Sequence, residues 1–534
     1  MQTSPREHLA LGTSLWARGE REAALLALEA AVAGDPVLVE ARNNLGNALL
    51  ALGRPDEAID QYQAGLAVAP GRPDLLYNLG NALAAVTDAA AAEAAFRAAL
   101  ALRPDHAGTH NNLGGALRSQ GRHAEALDCY RRALELNPDV FGILNNVGST
   151  LLALHRPDEA LPMLERAIAL QPDYAEACNN IGGAMLALDR PREAIDWFRR
   201  AQRLDPDNAQ ARFGEGLGLL SLGEFRQGWL AYQARWQDPR FLQDTPGYPD
   251  APWLGTGPVA GRRLLLHAEQ GLGDTIQFVR YAPLLHRWGA QLVLQVQTPL
   301  VPLVRHLADE VVAMTDTPAL DPLPRYDLRC PLLSLPLACS TRLATIPRTV
   351  PYLFAPPDRV AAWRHRLHAP TGLRIGVAFS GSHDHPDDAL RSIQAARLLP
   401  ALARPGVELH VVQKDIRPAD QAALAALPGV CRHDADLHDF ADTAALLAVM
   451  DAVVSVDTSI AHLAGALGRP CLVLLQLAAD FRWLRARQDS PWYPTLRLFR
   501  QTERADWSGP IAAVGDALEM LALRQRTQGG IASP

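Results

Sequence analysis

Cysteine is scarce and scattered in this sequence. The six residues, Cys129, Cys178, Cys330, Cys339, Cys431 and Cys471, include no Cys-x-x-Cys pair. That argues against a zinc site and a disulfide framework, and it fits a reducing compartment. Long hydrophobic runs are missing too: no stretch reaches the roughly 18 apolar residues that a membrane-spanning helix needs. Charges at Arg6, Glu7, Arg18 and Glu20 interrupt the region where a signal peptide would carry its apolar core. Positive charge is not in excess. The formal net charge is −7, which argues against a general nucleic-acid binder. These absences predict a cytoplasmic protein with no membrane span and no nucleic-acid partner, acting on a substrate made inside the cell.

What is present is an ordinary globular composition, 48% apolar and 20% charged, over 534 residues. That length predicts two or three domains. The first half is periodic. Glycine recurs at Gly12, Gly46, Gly80, Gly114, Gly148, Gly182 and Gly216, each step being 34 residues. A large apolar column runs in phase through Leu28, Tyr62, Phe96, Tyr130, Leu164, Phe198 and Tyr232. Alanine (Ala24 to Ala194) and proline (Pro36 to Pro206) keep the same period. These columns resemble the tetratricopeptide repeat, a helix-turn-helix unit. The small residues let paired helices approach, the large column is expected to fill the space between neighbouring repeats, and proline closes each unit. One unit cannot bury its own apolar face, so seven repeats over residues 1–240 are predicted to stack into an α superhelix. The phase ends at Arg240, where proline was due.

Asparagine also keeps the period, at Asn44, Asn78, Asn112, Asn146 and Asn180. In the repeat family this position can face the concave groove. In protein O-GlcNAc transferases, which these repeats resemble, an asparagine ladder there holds a polypeptide by its backbone. An amide suits that role because it is both donor and acceptor. Hydrogen bonding between adjacent helices is the competing reading. Either way the groove is expected to hold a polypeptide acceptor or a partner protein.

Past Asp238 the pattern is lost. Pro239, Pro246, Gly247, Pro249, Pro252, Gly255, Gly257 and Pro258 mark a linker over 241–261, packed by Tyr248 and Trp253. Apolar strand-like runs then alternate with helical stretches. The predicted strands are Arg263–His267, Leu292–Val296, Arg374–Phe379, Glu408–Gln413, Ala452–Val456 and Cys471–Leu475. An irregular, proline-rich stretch from Pro318 to Pro357 separates two groups. This predicts two doubly wound lobes with a cleft, over residues 262–365 and 366–525, and a flexible tail from 526. Ligands should bind at the carboxyl ends of the strands.

The stretch Glu269-Gln270-Gly271-Leu272-Gly273-Asp274-Thr275 lies between the first strand and a helix. Glycine there lets a ligand approach the backbone, and the helix start offers unpaired N–H groups. Gly271, Gly273 and Asp274, followed by Pro283, resemble the N-lobe signature of heptosyltransferase-like enzymes, glycosyltransferase family nine. Asp457-Thr458-Ser459-Ile460-Ala461-His462, followed by Gly468-Arg469-Pro470, resembles their C-lobe signature. The resemblance implies a GT-B fold over residues 262 to 515 and a repeat–transferase pairing of bacterial type. It implies that Asp274 is the catalytic base; Glu269 and His267, which lie near the same strand end, are alternatives, and simple helix capping remains the competing role for Asp274. It also implies that Gly271, Gly273, Arg391, Lys414, Asp457, Thr458, Ser459 and His462 bind the nucleotide sugar, with an interlobe or core role open for His462. Asp434-Ala435-Asp436 has the form of a metal-binding DxD but is read as a solvated turn, and His383 and His385 lack a fixed ligand spacing. No metal and no cofactor beyond the nucleotide-sugar co-substrate is expected. Arg482-Trp483, Trp492 and Tyr493 could stack on a base or sugar, or pack the lobe edge.

The whole is read as a metal-independent glycosyltransferase, hexosyl or heptosyl, acting on a polypeptide presented by the repeats. Two other readings stay open: an interaction scaffold with a degenerate transferase domain, and a transferase acting on a glycan.

Overall fold

The computed structural model describes residues 4–238, 248–314, 324–383 and 385–529. Pro239, Arg240, Pro246, Gly247, Pro318, Asp384 and residues 530–534 of the expected tail lie outside the described residues. The fold is a run of paired repeat helices followed by parallel sheets with helices, the α superhelix and α/β domain that the sequence predicts. It divides into two compact units, residues 1–187 with 203–206 and residues 188–202 with 207–534.

In the first unit each repeat pairs a 13-residue helix with a 14-residue one, such as Val39–Ala51 with Pro55–Val68 and Pro73–Ala85 with Ala89–Leu102. The large apolar column is placed differently from the expectation. A Cβ on Gly46 would stand 2.6 Å from the Tyr62 ring, one on Gly80 2.5 Å from Phe96, and one on Gly114 2.7 Å from Tyr130. Each ring closes the helix pair of its own repeat, rather than only the gap to the next. The turn between paired helices puts one residue per repeat in the left-handed region. Glycine fills it at Gly19, Gly53, Gly121 and Gly223, but Thr87 (φ 62°), His155 (56°) and Asp189 (62°) take it elsewhere.

The second unit holds two sheets. The first has the order β3-β2-β1-β4, all parallel, with β1 at Arg263–His267, β2 at Gln291–Gln297, β3 at Glu310–Met314 and β4 at Leu328–Pro331. The second has the order β10-β9-β8-β5-β6-β7, also parallel. Its strands are β5 (Leu373–Ala378), β6 (Val407–Val411), β7 (Val430–Arg432), β8 (Ala452–Val456), β9 (Cys471–Leu475) and β10 (Leu496–Arg500). The six strands predicted from sequence are the interior ones. The four that were not, β3, β4, β7 and β10, are all edges, and β4 lies inside the stretch read as irregular. The interior strands are buried over most of their length, whereas the edge strands carry charge at Glu310, Arg329, Arg432, Arg497 and Arg500.

The repeat pattern ends near 240, but the compact units do not divide there. The seventh repeat, Ala209–Ser221 and Phe225–Tyr232 with the 3-10 turn Gln233–Gln237, belongs to the second unit. Its Phe225, Trp229 and Tyr232 share one buried core with Phe278, Phe481, Trp483 and Trp492. Apolar burial therefore packs the seventh repeat with the second unit. In the described part of the linker, Trp253 is buried and its N–H donates to the Arg329 carbonyl at 2.7 Å. The Tyr248 ring lies 4.3 Å from His267. The last helix runs on to Gly529, past the start expected for the tail. No helix among the described residues is long and apolar enough to cross a membrane.

Left-handed backbone costs a side-chain-bearing residue about 1–2 kcal/mol, and glycine's extra chain entropy returns roughly 0.5–1 kcal/mol of that. Thr87→Gly should therefore stabilise the array by a few tenths to about 1 kcal/mol, read as a higher urea midpoint. A lower midpoint would contradict this account of the turn.

Candidate active site

Both sheets change winding direction once, the first between β1 and β4 and the second between β5 and β8. At such switch points the loops leaving adjacent strand ends part and open a crevice. The Asp274 loop leaves β1. The Ser380–Gly381 loop leaves β5, and Asp457-Thr458-Ser459 leaves β8.

Gly271 is the N-cap of the Leu272–Phe278 helix, and its N–H donates to Asp274 Oδ2 at 3.0 Å. The other oxygen, Oδ1, is ion-paired with Arg482 Nη2. One carboxyl thus caps its helix and faces a guanidinium, so capping and an electrostatic role coexist. Its side chain is 18% exposed. Burial raises its pKa, and Arg482 works against that rise. A Cβ on Gly273 would stand 3.0 Å from His462 Cδ2 and 3.4 Å from Ser459 Cα. The starts of the Leu272–Phe278 and Ser459–Ala466 helices, far apart in sequence, therefore abut, and glycine is what lets them.

On the second lobe, Thr458 is the N-cap, its hydroxyl accepting the Ile460 N–H at 3.1 Å. Ser459 opens the helix. His462 is buried, with Nδ1 3.0 Å from the Tyr493 hydroxyl and its ring stacked 5.1 Å from Trp483. Burial and the nearby arginines hold its pKa well below the usual imidazole range, so it is a neutral interlobe residue. Asp457 is pushed up to about 6 by burial and by the neighbouring Asp480 carboxylate. Asp480 is in turn bonded to Arg482 Nη1 at 2.8 Å through both oxygens. The Arg391 guanidinium lies on the Gly381 backbone, where a Cβ would meet it at 2.6 Å. Its Nε is buried and makes no hydrogen bond among the described residues, although its charge reaches Asp457 and His462. Lys414, the chain's single lysine, is exposed just beyond β6 and forms no ion pair among the described residues. Nearby Arg417 is committed to Asp388 at 2.6 Å.

The structure overturns the two alternatives to Asp274. Glu269 is fully buried and bonded in two prongs to Arg235, at 2.8 and 2.9 Å, and also accepts the Leu333 N–H at 2.9 Å. Its oxygens are taken. His267 is buried under Tyr248, and burial holds its pKa down to about 3, so it neither reaches an acceptor nor binds a proton near neutral pH. Trp483, Trp492 and Tyr493 are buried packing residues. The DxD carboxylates are occupied by arginines, Asp434 by Arg432 at 2.9 Å and Asp436 by Arg366 at 2.7 Å. Sequence reading missed Asp480 and the pairing of Arg482. The available signal was their position just beyond the interior strand β9.

In the first unit the asparagine column forms an inter-repeat chain. Asn78 Nδ2 donates to Asn43 at 2.8 Å, Asn112 to Asn81 at 2.7 Å, Asn146 to Asn111 at 2.9 Å and Asn180 to Asn145 at 2.8 Å, while Asn44 donates to Thr13 at 3.2 Å. The competing helix-to-helix reading thus accounts for one amide hydrogen on four of the rungs and for both on Asn112, which also donates to the Tyr77 hydroxyl at 3.2 Å. The Oδ1 atoms of Asn44, Asn78, Asn146 and Asn180 accept no hydrogen bond among the described residues and are half-buried. Asn44 lines a cavity of 680 Å³ together with Thr13, Glu40, Asn43 and Arg72.

Comparison with known proteins agrees with this layout. Tetratricopeptide repeat families match residues 9–73, 73–106, 107–140 and 148–209. Glycosyltransferase family 9 (heptosyltransferase) matches residues 429–482, which include Asp457, Thr458, Ser459, His462, Asp480 and Arg482 but not Asp274. Protein FlbA of Caulobacter vibrioides is 27% identical over 323 residues, 56% of this chain and 53% of FlbA. The matched stretch thus spans about half the length of that relative. Among solved structures, MamA (23% identity, TM-score 0.29) is matched over 30% of this chain and 95% of its own. YrrB, described as a TPR protein with an unusual peptide-binding site (22%, 0.31), is matched over 35% and 95%. PilF of Pseudomonas aeruginosa (19%, 0.36) is matched over 39% and 95%. The chain therefore carries tetratricopeptide repeats and, near its C-terminal end, a segment similar to glycosyltransferase family 9.

Arg482→Met should leave the Asp274 carboxylate buried without its cation and destabilise the protein by about 2–3 kcal/mol. Losing the cation raises the folded-state pKa of Asp274 further above its unfolded value. The penalty is then full above that folded pKa and fades as pH falls toward the ordinary carboxylate range. Melting curves of variant and parent should converge with acid, and a pH-independent gap would contradict the pairing.

Proposed function

We propose that the protein transfers a sugar from a nucleotide donor to a polypeptide acceptor, with Asp274 as base and the second lobe as donor site. The observation that carries this reading is the abutment of the two helix starts, which brings the Asp274 carboxylate, Arg482 and the Asp457–Ser459 loop together. In the reaction Asp274 takes the proton of the acceptor hydroxyl as its oxygen bonds to the sugar's anomeric carbon. The bond from that carbon to the phosphate oxygen breaks, and the nucleoside diphosphate leaves with the electron pair. Burial strengthens Asp274 as a base once it is ionised, and Arg482 favours the ionised form. The departing phosphates need positive charge and oriented donors. The unpartnered Arg391 Nε and the opening N–H groups of the Ser459 helix suit that need. With two guanidinium groups at hand we read the reaction as metal-independent.

The acceptor reading rests on the repeats. Four of the five rungs, Asn44, Asn78, Asn146 and Asn180, keep a carbonyl oxygen that accepts no hydrogen bond among the described residues, a suitable acceptor for peptide N–H groups, while that of Asn112 accepts from Asn111. An interaction scaffold with an inactive transferase domain is the second reading. It is favoured by one fact: both Asp274 oxygens are engaged.

A thermal-shift screen of UDP-, GDP-, ADP-, dTDP- and CMP-linked sugars separates the two, since a scaffold is stabilised by none. With the donor found, Asp274→Asn should lower kcat by about a hundredfold to ten-thousandfold while leaving donor affinity near that of the parent. Asparagine caps as well as aspartate, so a role limited to capping predicts a kcat within a few-fold. Changing Asn78, Asn112 and Asn146 together to alanine removes the inter-repeat bonds at a cost of about 0.5–1.5 kcal/mol each. Transfer to polypeptide should be lost while donor hydrolysis persists. Undiminished transfer by the folded triple variant would reject the ladder as acceptor site.

A further inference from the structure

One position breaks the repeat pattern where it matters most. The column Ala31, Gly65, Ala99, Ala133, Ala167, Ala201 is small and buried in six consecutive repeats. In the seventh it is Arg235, also fully buried. A guanidinium in a slot built for a methyl group is costly unless its donors are satisfied. All three of its nitrogens are bonded. Nε and Nη2 hold Glu269 at 2.8 and 2.9 Å, Nη2 also reaches Ser334 Oγ at 2.9 Å, and Nη1 donates to the Tyr232 carbonyl at 3.2 Å. Glu269 follows β1, and Ser334 follows β4. Arg235 therefore sits in the switch-point crevice of the first sheet, the place a ligand takes in open α/β sheets.

The same repeat grips the opposite partner. Glu269 lies in the loop that leads into the helix start bearing Asp274, and Gln270 of that loop donates to the Tyr232 hydroxyl at 3.2 Å. Arg482, the ion-pair partner of Asp274, lies in the segment Asp480–Ala486. Phe481 of that segment packs against Trp229 at 5.4 Å and Tyr232 at 5.8 Å. Arg485 is bound to the side chain and carbonyl of Asp189, in the turn of the sixth repeat. Leu484 (φ 50°) and Ala486 (φ 47°) hold left-handed backbone there, which persists only where surrounding contacts impose it.

We propose that the seventh repeat is a working part of the transferase site, with Arg235 and Tyr232 as positioning residues that hold the two segments bearing Asp274 and Arg482 in register. The catalytic meaning of that register rests on Asp274 being the base. The anchoring itself does not.

The test uses the full chain. Arg235→Met alone strands the Glu269 charge in the interior and can unfold the unit. The double variant Arg235→Met with Glu269→Gln removes both charges at similar volume, and it is the decisive protein. Hydrogen exchange followed by mass spectrometry should show peptides 268–278 and 478–486 exchanging about tenfold faster or more, with peptides from 107–136 unchanged. On the donor identified by thermal shift, kcat should fall by about tenfold to a hundredfold with donor KM within twofold. Arg235→Lys, which restores the charge without the two-pronged bond, should recover part of kcat. Unchanged exchange in both peptides of a folded double variant overturns the proposal, and so does a uniform rise across all peptides, the mark of a merely structural bond. Asp274→Asn is run beside it. If that variant keeps its kcat while the double variant loosens both peptides, the base assignment fails and the anchoring stands.

Discussion

A guanidinium and a carboxylate buried without water must be present together or not at all. Removing either partner of such a pair costs about 3–5 kcal/mol, because the survivor keeps its charge and loses its solvation. Arg235 and Glu269 are such a pair, with side chains 0% and 1% exposed. Their attraction is not the point, since an apolar pair of the same volume can be as stable. Their geometry is. The planar fork of arginine fits one orientation of a carboxylate. It thereby fixes the last repeat against the loop that carries Asp274. The register of the last repeat against the candidate site follows from that pair.

The candidate site has more charge than its burial easily tolerates. Asp274, Asp457 and Asp480 face Arg482 and Arg391. Burial raises the proton affinity of Asp274 and Asp457, and the arginines oppose it. Arg482 is shared between Asp274 and Asp480. Arg391 forms no ion pair among the described residues, and its buried Nε has no hydrogen-bond partner among them. A site with a guanidinium whose Nε is unused among the described residues on one side and a cation-held carboxylate on the other suits a reaction in which one group accepts a proton while another receives negative charge.

The repeats solve a simpler problem. A helix pair closes tightly because a ring rests on a bare glycine, and successive pairs are tied by amide-to-amide bonds along the asparagine column. The amide hydrogens serve the fold, and at Asn44, Asn78, Asn146 and Asn180 the amide oxygen accepts nothing among the described residues. A half-used polar group of this kind is cheap to keep because it is only half-buried.

The periodicity of 34, the helix pairs and the six interior strands were legible in the sequence alone, because each follows from local spacing of apolar and small residues. So were the two signatures, since glycine between strand and helix has a local reason. Edge strands were not legible: β3, β4, β7 and β10 have short runs and mixed charge, and only pairing with a neighbour makes them strands. The site was half legible. Asp274, Arg391 and Asp457–Ser459 could be named from strand ends. That Glu269 and His267 are unavailable, that Arg482 holds Asp274, and that the seventh repeat belongs with the transferase were decided by tertiary structure. The reason is physical. Whether a charged side chain is a reagent or a brace depends on what lies opposite it, and here those partners are 34 to more than 200 residues away along the chain.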